Sequence, residues 1–212
     1  MARGARELRI SRRHWLFAVC GIPLFAAGNT EEPLSVTFDG DKLHVAAPGL
    51  HFLTGKPLAR LRDADTVVFV SQITLFSDDR GTIFRRPVAE RLIVSYSLWE
   101  EKFAVTIRGA DFTRSTPRLL TAAQAESWCI ENLAISALGL APDRPFWLRF
   151  ELRAADPKDL AALLGDQGIS LGSLIEFFGR KRGANDPYWR RETGPLRLND
   201  LPRALTGRGR IG

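Results

Sequence analysis

Cysteine is nearly missing from this chain. Two occur in 212 residues, Cys20 and Cys129. Cys20 falls in an N-terminal stretch that reads as a removable leader, which leaves Cys129 alone and rules out an internal disulfide framework or a thiolate metal site. Cys129 sits among apolar helical neighbours and is expected to be a buried, inert thiol. Histidine is almost as scarce: beyond His14 only His44 and His51 remain, without H-E-x-x-H spacing. No G-x-S-x-G elbow, phosphate loop or dinucleotide fingerprint is present, and Gly165-Asp166-Gln167-Gly168 lacks the strand that should precede one. These absences predict no metal, no cofactor and no catalytic residue that sequence alone can name. The paired acids Asp78-Asp79 and Glu100-Glu101 fall where the chain turns, and turn chemistry accounts for them.

What is present begins with the first 28 residues. A basic segment with Arg3, Arg6, Arg9, Arg12 and Arg13 precedes the apolar run Trp15–Ala27 and a small-residue exit at Ala26-Ala27-Gly28. This is the layout of an export signal, and Arg12, Arg13, Trp15 and Leu16 follow the twin-arginine pattern. The general secretory route stays open, because paired arginines also occur in ordinary leaders. Thirteen helical residues span about 20 Å against a hydrocarbon core of about 30 Å, which weighs against a retained anchor. Val19 before Cys20 weighs against lipidation. The expected location is the periplasm or cell envelope, with a mature start near Asn29.

The formal charge of +6 is unevenly spread. Residues 1–28 carry +4, residues 29–179 carry −4 and residues 180–212 carry +6. A single mildly acidic domain over 29–179 is therefore expected, followed by a basic tail over 180–212 that is rich in Pro and Gly and predicted to be disordered. Arg180, Lys181, Arg182, Trp189, Arg190 and Arg191 in that tail would suit an anionic membrane surface. No nucleic acid is expected as a partner.

Inside the domain, Leu34–Phe38 and Lys42–Val45 flank Asp39-Gly40-Asp41 as a hairpin. A helical turn opens at Pro57. Strand patterns follow at 66–76, 88–99 and 103–108, and again at 146–152. Thr121 and Gln124 predict a capping box for a helix that Gly139 and Pro142 end. Two later helices are expected, one after Asp156-Pro157 and one capped by Ser170. Strands first and helices late predict an α+β fold: an antiparallel meander sheet of five or six strands covered by two or three helices.

The stretch from Leu58 to Leu164 resembles a family of exported bacterial proteins of unknown function, often encoded near sensor kinases of the nitrogen-regulation type. The likeness rests on Val67–Phe76, Arg85-Arg86-Pro87, and Leu92–Leu98 leading into Phe103-Ala104-Val105. It implies export and supplies no catalytic residues. The function expected is that of a non-catalytic envelope module that binds a partner protein or a small apolar ligand, in a pocket between sheet and helix. The alternative is a hydrolase whose site assembles only in three dimensions. His44 or His51 beside a carboxylate in a deep cleft would favour that alternative.

Overall fold

The computed structural model describes residues 34–85, 87–156, 176–179 and 187–204. The leader residues Arg12, Arg13, Trp15 and Leu16, the cations Arg180, Lys181 and Arg182, and the helices expected after Pro157 and Ser170 (residues 176–179 of the latter excepted) lie outside them. The fold is α+β, with two antiparallel sheets. In chain order the elements are β1 (Ser35–Phe38), β2 (Lys42–Ala46), α1 (Gly55–Arg62), β3 (Val67–Phe76), β4 (Val88–Ser97), β5 (Lys102–Arg108), β6 (Thr113–Ser115), α2 (Ala122–Glu131), β7 (Ala134–Ser136), β8 (Phe146–Ala154) and β9 (Tyr188–Leu196). Residues 176–179 are helical.

The large sheet has the order β6-β5-β4-β3-β8-β9, a meander from β3 to β6 extended on the far side of β3 by the last two strands. Alternation decides which face is dry. Phe69, Ile73 and Leu75 of β3 point the same way as Leu92 and Val94, Val105 and Ile107, and Leu148, Phe150 and Leu152, and all are buried. Full burial of each such side chain stabilises the fold by about 1.5–3 kcal/mol before ordering entropy is subtracted. The small sheet, β1-β2-β7, adds Val36, Leu43, Val45 and Ile135 to the same core. Helix α2 joins it through Ala125, Cys129 and Ile130.

The capping box forms as expected, with Thr121 accepting from the Gln124 N–H and the Gln124 side chain accepting from the Thr121 N–H. The helix nevertheless stops at Glu131, well short of Gly139, because the chain turns at Asn132 and enters β7 beside β2. Ladder hydrogen bonds to β2 offer residues 134–136 a better outlet than another helical turn.

The expectation of a disordered tail is corrected over 187–204. Tyr188–Leu196 is the sixth strand of the large sheet, paired with β8 from Arg153↔Tyr188 to Phe146↔Leu196. Opposite charges meet across this pair, since Arg149 faces Glu192 and Glu151 faces Arg190. Trp189 turns inward, with its ring centroid 6.1 Å from that of Phe52 and 6.2 Å from that of Phe69. Gly194 serves the bulge opposite Trp147: its φ is 146°, and a Cβ there would lie 2.5 Å from the Trp147 ring. Further on, Phe38 donates to the Pro202 carbonyl and Ala204 to the Phe38 carbonyl, so residues 202–204 run along β1.

Candidate functional site

The hairpin β1–β2 builds the site from its turn. Asp39 begins the turn, and its Oδ1 accepts the N–H groups of Asp41 at 2.9 Å and Lys42 at 2.7 Å. That leaves Oδ2 free to meet His44 Nε2, 2.7 Å away. The His44 hydrogen bond first, then the two backbone donors, hold the Asp39 carboxyl well below the usual carboxylate range. The carboxylate acceptor orients the imidazole: Nε2 carries a proton and donates, which leaves Nδ1 as the ring nitrogen not engaged by Asp39. Asp39 and His44 are both partly buried, with side-chain exposures of 17% and 34%.

Strand register sets the rest of the lining. Thr37 stands directly opposite His44, and Ser35 opposite Ala46, on the face turned away from the core. Together with Glu131 at the end of α2 and Ala204 of the C-terminal segment, they surround a cavity of about 350 Å³. The volume falls within the range of small-molecule sites, and the wall sets the polar groups of Ser35, Thr37, Asp39, His44 and Glu131 in a lining that is largely apolar. The cavity lies between the small sheet and the end of α2, and its largely apolar lining carries several polar groups. Two other hollows, beside Pro57 and Val67 and beside Phe84 and Phe146, measure about 10 and about 50 Å³, too small for a small molecule.

His51 also meets a carboxylate, Glu126, at 2.9 Å. Here the acid has a different principal duty. Glu126 is buried, and its Oε1 accepts the N–H groups of Phe52 and Leu53 at 2.7 Å each. It pins the chain segment that delivers Phe52 to the core, while the His51 side chain remains 65% exposed. Both histidines thus have a carboxylate as hydrogen-bond partner. The carboxylates that hold them, Asp39 and Glu126, were not singled out for that role. Asp39 could have been found, since an acid opening a turn five residues before a strand histidine can reach back to it. Glu126 lies 75 residues from His51 and left no such signal.

A serine or threonine nucleophile would need a hydroxyl within reach of His44 Nδ1. Ser35 and Thr37 share the cavity with His44, but among the described residues its hydrogen-bond partner is Asp39. Cys129 is buried, and burial pushes its thiol far up, so it is no nucleophile at neutral pH. No group of three or more metal-ligating side chains occurs among the described residues.

The tail residues proposed for an anionic surface are placed as follows. Trp189 packs inward, Arg190 donates to Glu192, and Arg191 donates to the Arg190 carbonyl. Arg85, from the stretch that carries the family likeness, donates to the carbonyls of Ser136 and Leu138 and ties the β3–β4 connection to β7 and the residues after it. No described helix is long and apolar enough to cross a membrane. No family model, curated protein or solved structure matches the chain.

Proposed function

We propose that this is an exported envelope protein that works as a non-catalytic binding module, with the His44 cavity as its ligand site. Support for export comes from the leader pattern around Arg12 and Arg13 and from the resemblance to an exported bacterial family. Support for binding comes from one observation: a cavity of about 350 Å³ whose polar groups are fixed by a strand pair, a helix end and a tightly held turn. The ligand inferred from this wall is the small molecule expected from sequence with polar groups added to its apolar surface. Asp39 and Glu131 place two carboxylates there, and His44 adds its Nδ1. A small polar molecule with N–H or O–H donors, neutral or cationic, complements that set.

Native mass spectrometry of the chain recovered from the envelope fraction tests this reading. A bound small molecule is expected on the natural sequence and is lost in Thr37→Trp, which fills the cavity from the outer face of β1 without touching the core. A second reading is favoured by the His44–Asp39 couple beside Ser35 and Thr37, namely hydrolysis with His44 as general base. An unliganded chain that hydrolyses p-nitrophenyl esters, and loses that activity in His44→Ala, would replace the first reading with the second.

A further inference from the structure

The His44 cavity has a neighbour. Helix α2 sets Gln124, Ser127, Trp128 and Glu131 on one side, because positions three, four and seven apart share a helix face. With Leu120 and Arg118 they border a second hollow of about 400 Å³. Glu131 belongs to both walls: it lines the His44 cavity and ends the stripe on α2. The step from Gln124 to Glu131 therefore adds about 10 Å along the helix to what the His44 cavity offers.

Trp128 gives the second hollow a flat aromatic surface. The residue is half-buried, packs against the core and also lines the hollow. Its carbonyl accepts from Asn132 Nδ2 at 2.8 Å, and Asn132 Oδ1 accepts from Arg114 at 2.6 Å, which holds this end of the helix. Gln124 commits its oxygen to the Thr121 N–H and keeps its amide N–H groups as donors. Glu131 has no side-chain hydrogen bond or ion pair among the described residues. Two ligand classes fit poorly. A peptide added as a strand needs a free sheet edge, and residues 202–204 already run along β1. An anion would meet the carboxylates of Asp39 and Glu131, with Arg118 the one lysine or arginine among the described residues of the two walls.

Resting on the reading of the His44 cavity as a ligand site, we infer that the two hollows form one site for an oligosaccharide of neutral or amino sugars. One sugar ring lies against Trp128, another sits at Asp39 and His44, and Glu131 accepts from both. Sugars carry the two chemistries these walls present: their C–H faces pack on an indole, and their hydroxyl or amine donors reach carboxylates at the ring edge.

Cellotetraose and the glucosamine tetramer are the probes, compared by calorimetry with glucose and glucosamine. At least one tetramer should bind about tenfold or more tighter than its monomer, and tetragalacturonate, which is anionic, should not bind. Trilysine matches cationic charge without sugar rings and should bind at least about tenfold more weakly than the better tetramer. Trp128→Leu keeps apolar packing but removes the flat ring; it should cut tetramer affinity about tenfold and leave monomer binding unchanged, while Trp128→Phe retains most of the affinity. Ser127→Lys fills the same hollow from an exposed position and should act as Trp128→Leu does. Thr37→Trp should weaken tetramer and monomer alike. Tetramer and monomer of equal affinity, both lost in Thr37→Trp, would overturn this inference and leave the His44 reading standing. Tetramer binding that Thr37→Trp does not alter would overturn both. No binding of either tetramer, trilysine binding as tight as a tetramer, or full affinity in both Trp128→Leu and Ser127→Lys would also overturn the inference.

Discussion

Two histidines in this protein lean on carboxylates at nearly the same distance, and the two arrangements have little else in common. His51 reaches a buried acid, Glu126, whose other oxygen takes two backbone N–H groups of the segment leading to Phe52. The histidine there is an exposed onlooker. His44 reaches Asp39, an acid committed to a surface turn, and both side chains line a cavity. A histidine–carboxylate contact therefore says little about function until the acid's other partners are counted. Where those partners are core backbone, the pair supports the fold; where they close a turn at a cavity's edge, the pair orients the ring for something outside.

The largest predicted effect breaks the structural pair. Glu126→Ala leaves two buried N–H groups without acceptors and should cost about 2–5 kcal/mol in urea unfolding. Glu126→Gln retains an oxygen for both donors and should cost about 1 kcal/mol. Equal losses for the two variants would mean that the charge, not the accepted N–H groups, holds the segment.

A buried acid without such donors sharpens the contrast. Glu90 lies on the core face opposite Ser71, 5% exposed, with Oε2 accepting nothing. Burial pushes its carboxyl from 4.5 up to about 7, against the smaller opposing pull of Arg114 and Lys42. The folded chain then holds this proton more tightly than the unfolded chain. Its contribution to stability is complete below about pH 4.5 and is lost as pH rises through about 7. Glu90→Gln should match the parent near pH 4 and exceed it by about 1–3 kcal/mol at pH 8. Parallel stability curves for the two proteins would contradict the assignment.

The smallest effect is expected at the exposed histidine. His51→Ala should change stability by less than about 0.5 kcal/mol, as for other substitutions of exposed side chains. A larger loss in thermal unfolding would make the ring, and not Glu126 alone, part of what holds Phe52.

Local patterns made much of the large sheet legible in the sequence. Phe69, Ile73 and Leu75 alternate in β3, Phe103, Val105 and Ile107 in β5, and Phe146, Leu148, Phe150 and Leu152 in β8, and burial follows that alternation. The capping box of α2 was equally plain. Edge strands were not. In β9 the run Arg190-Arg191-Glu192-Thr193-Gly194-Pro195 looks like solvated tail, because its pairing energy comes from ladder bonds and from cross-strand charges on β8. Three-residue β7 carries too few positions to show a period, so its helix was read as longer than it is. The candidate site was half visible. His44 stood out by its rarity, but Thr37, Glu131 and Ala204 reach the same cavity only through register, a helix end and a returning C-terminal segment.

The most direct test of the central claim is site-resolved. Ligand released from the envelope-purified chain is added back to the 15N-labelled protein, and amide shifts are followed by NMR. The account predicts saturating changes centred on Thr37, His44, Ala46 and Glu131, with His51, Phe52 and Leu53 unmoved. Changes centred on the His51–Glu126 region, or none at the His44 cavity, would contradict it.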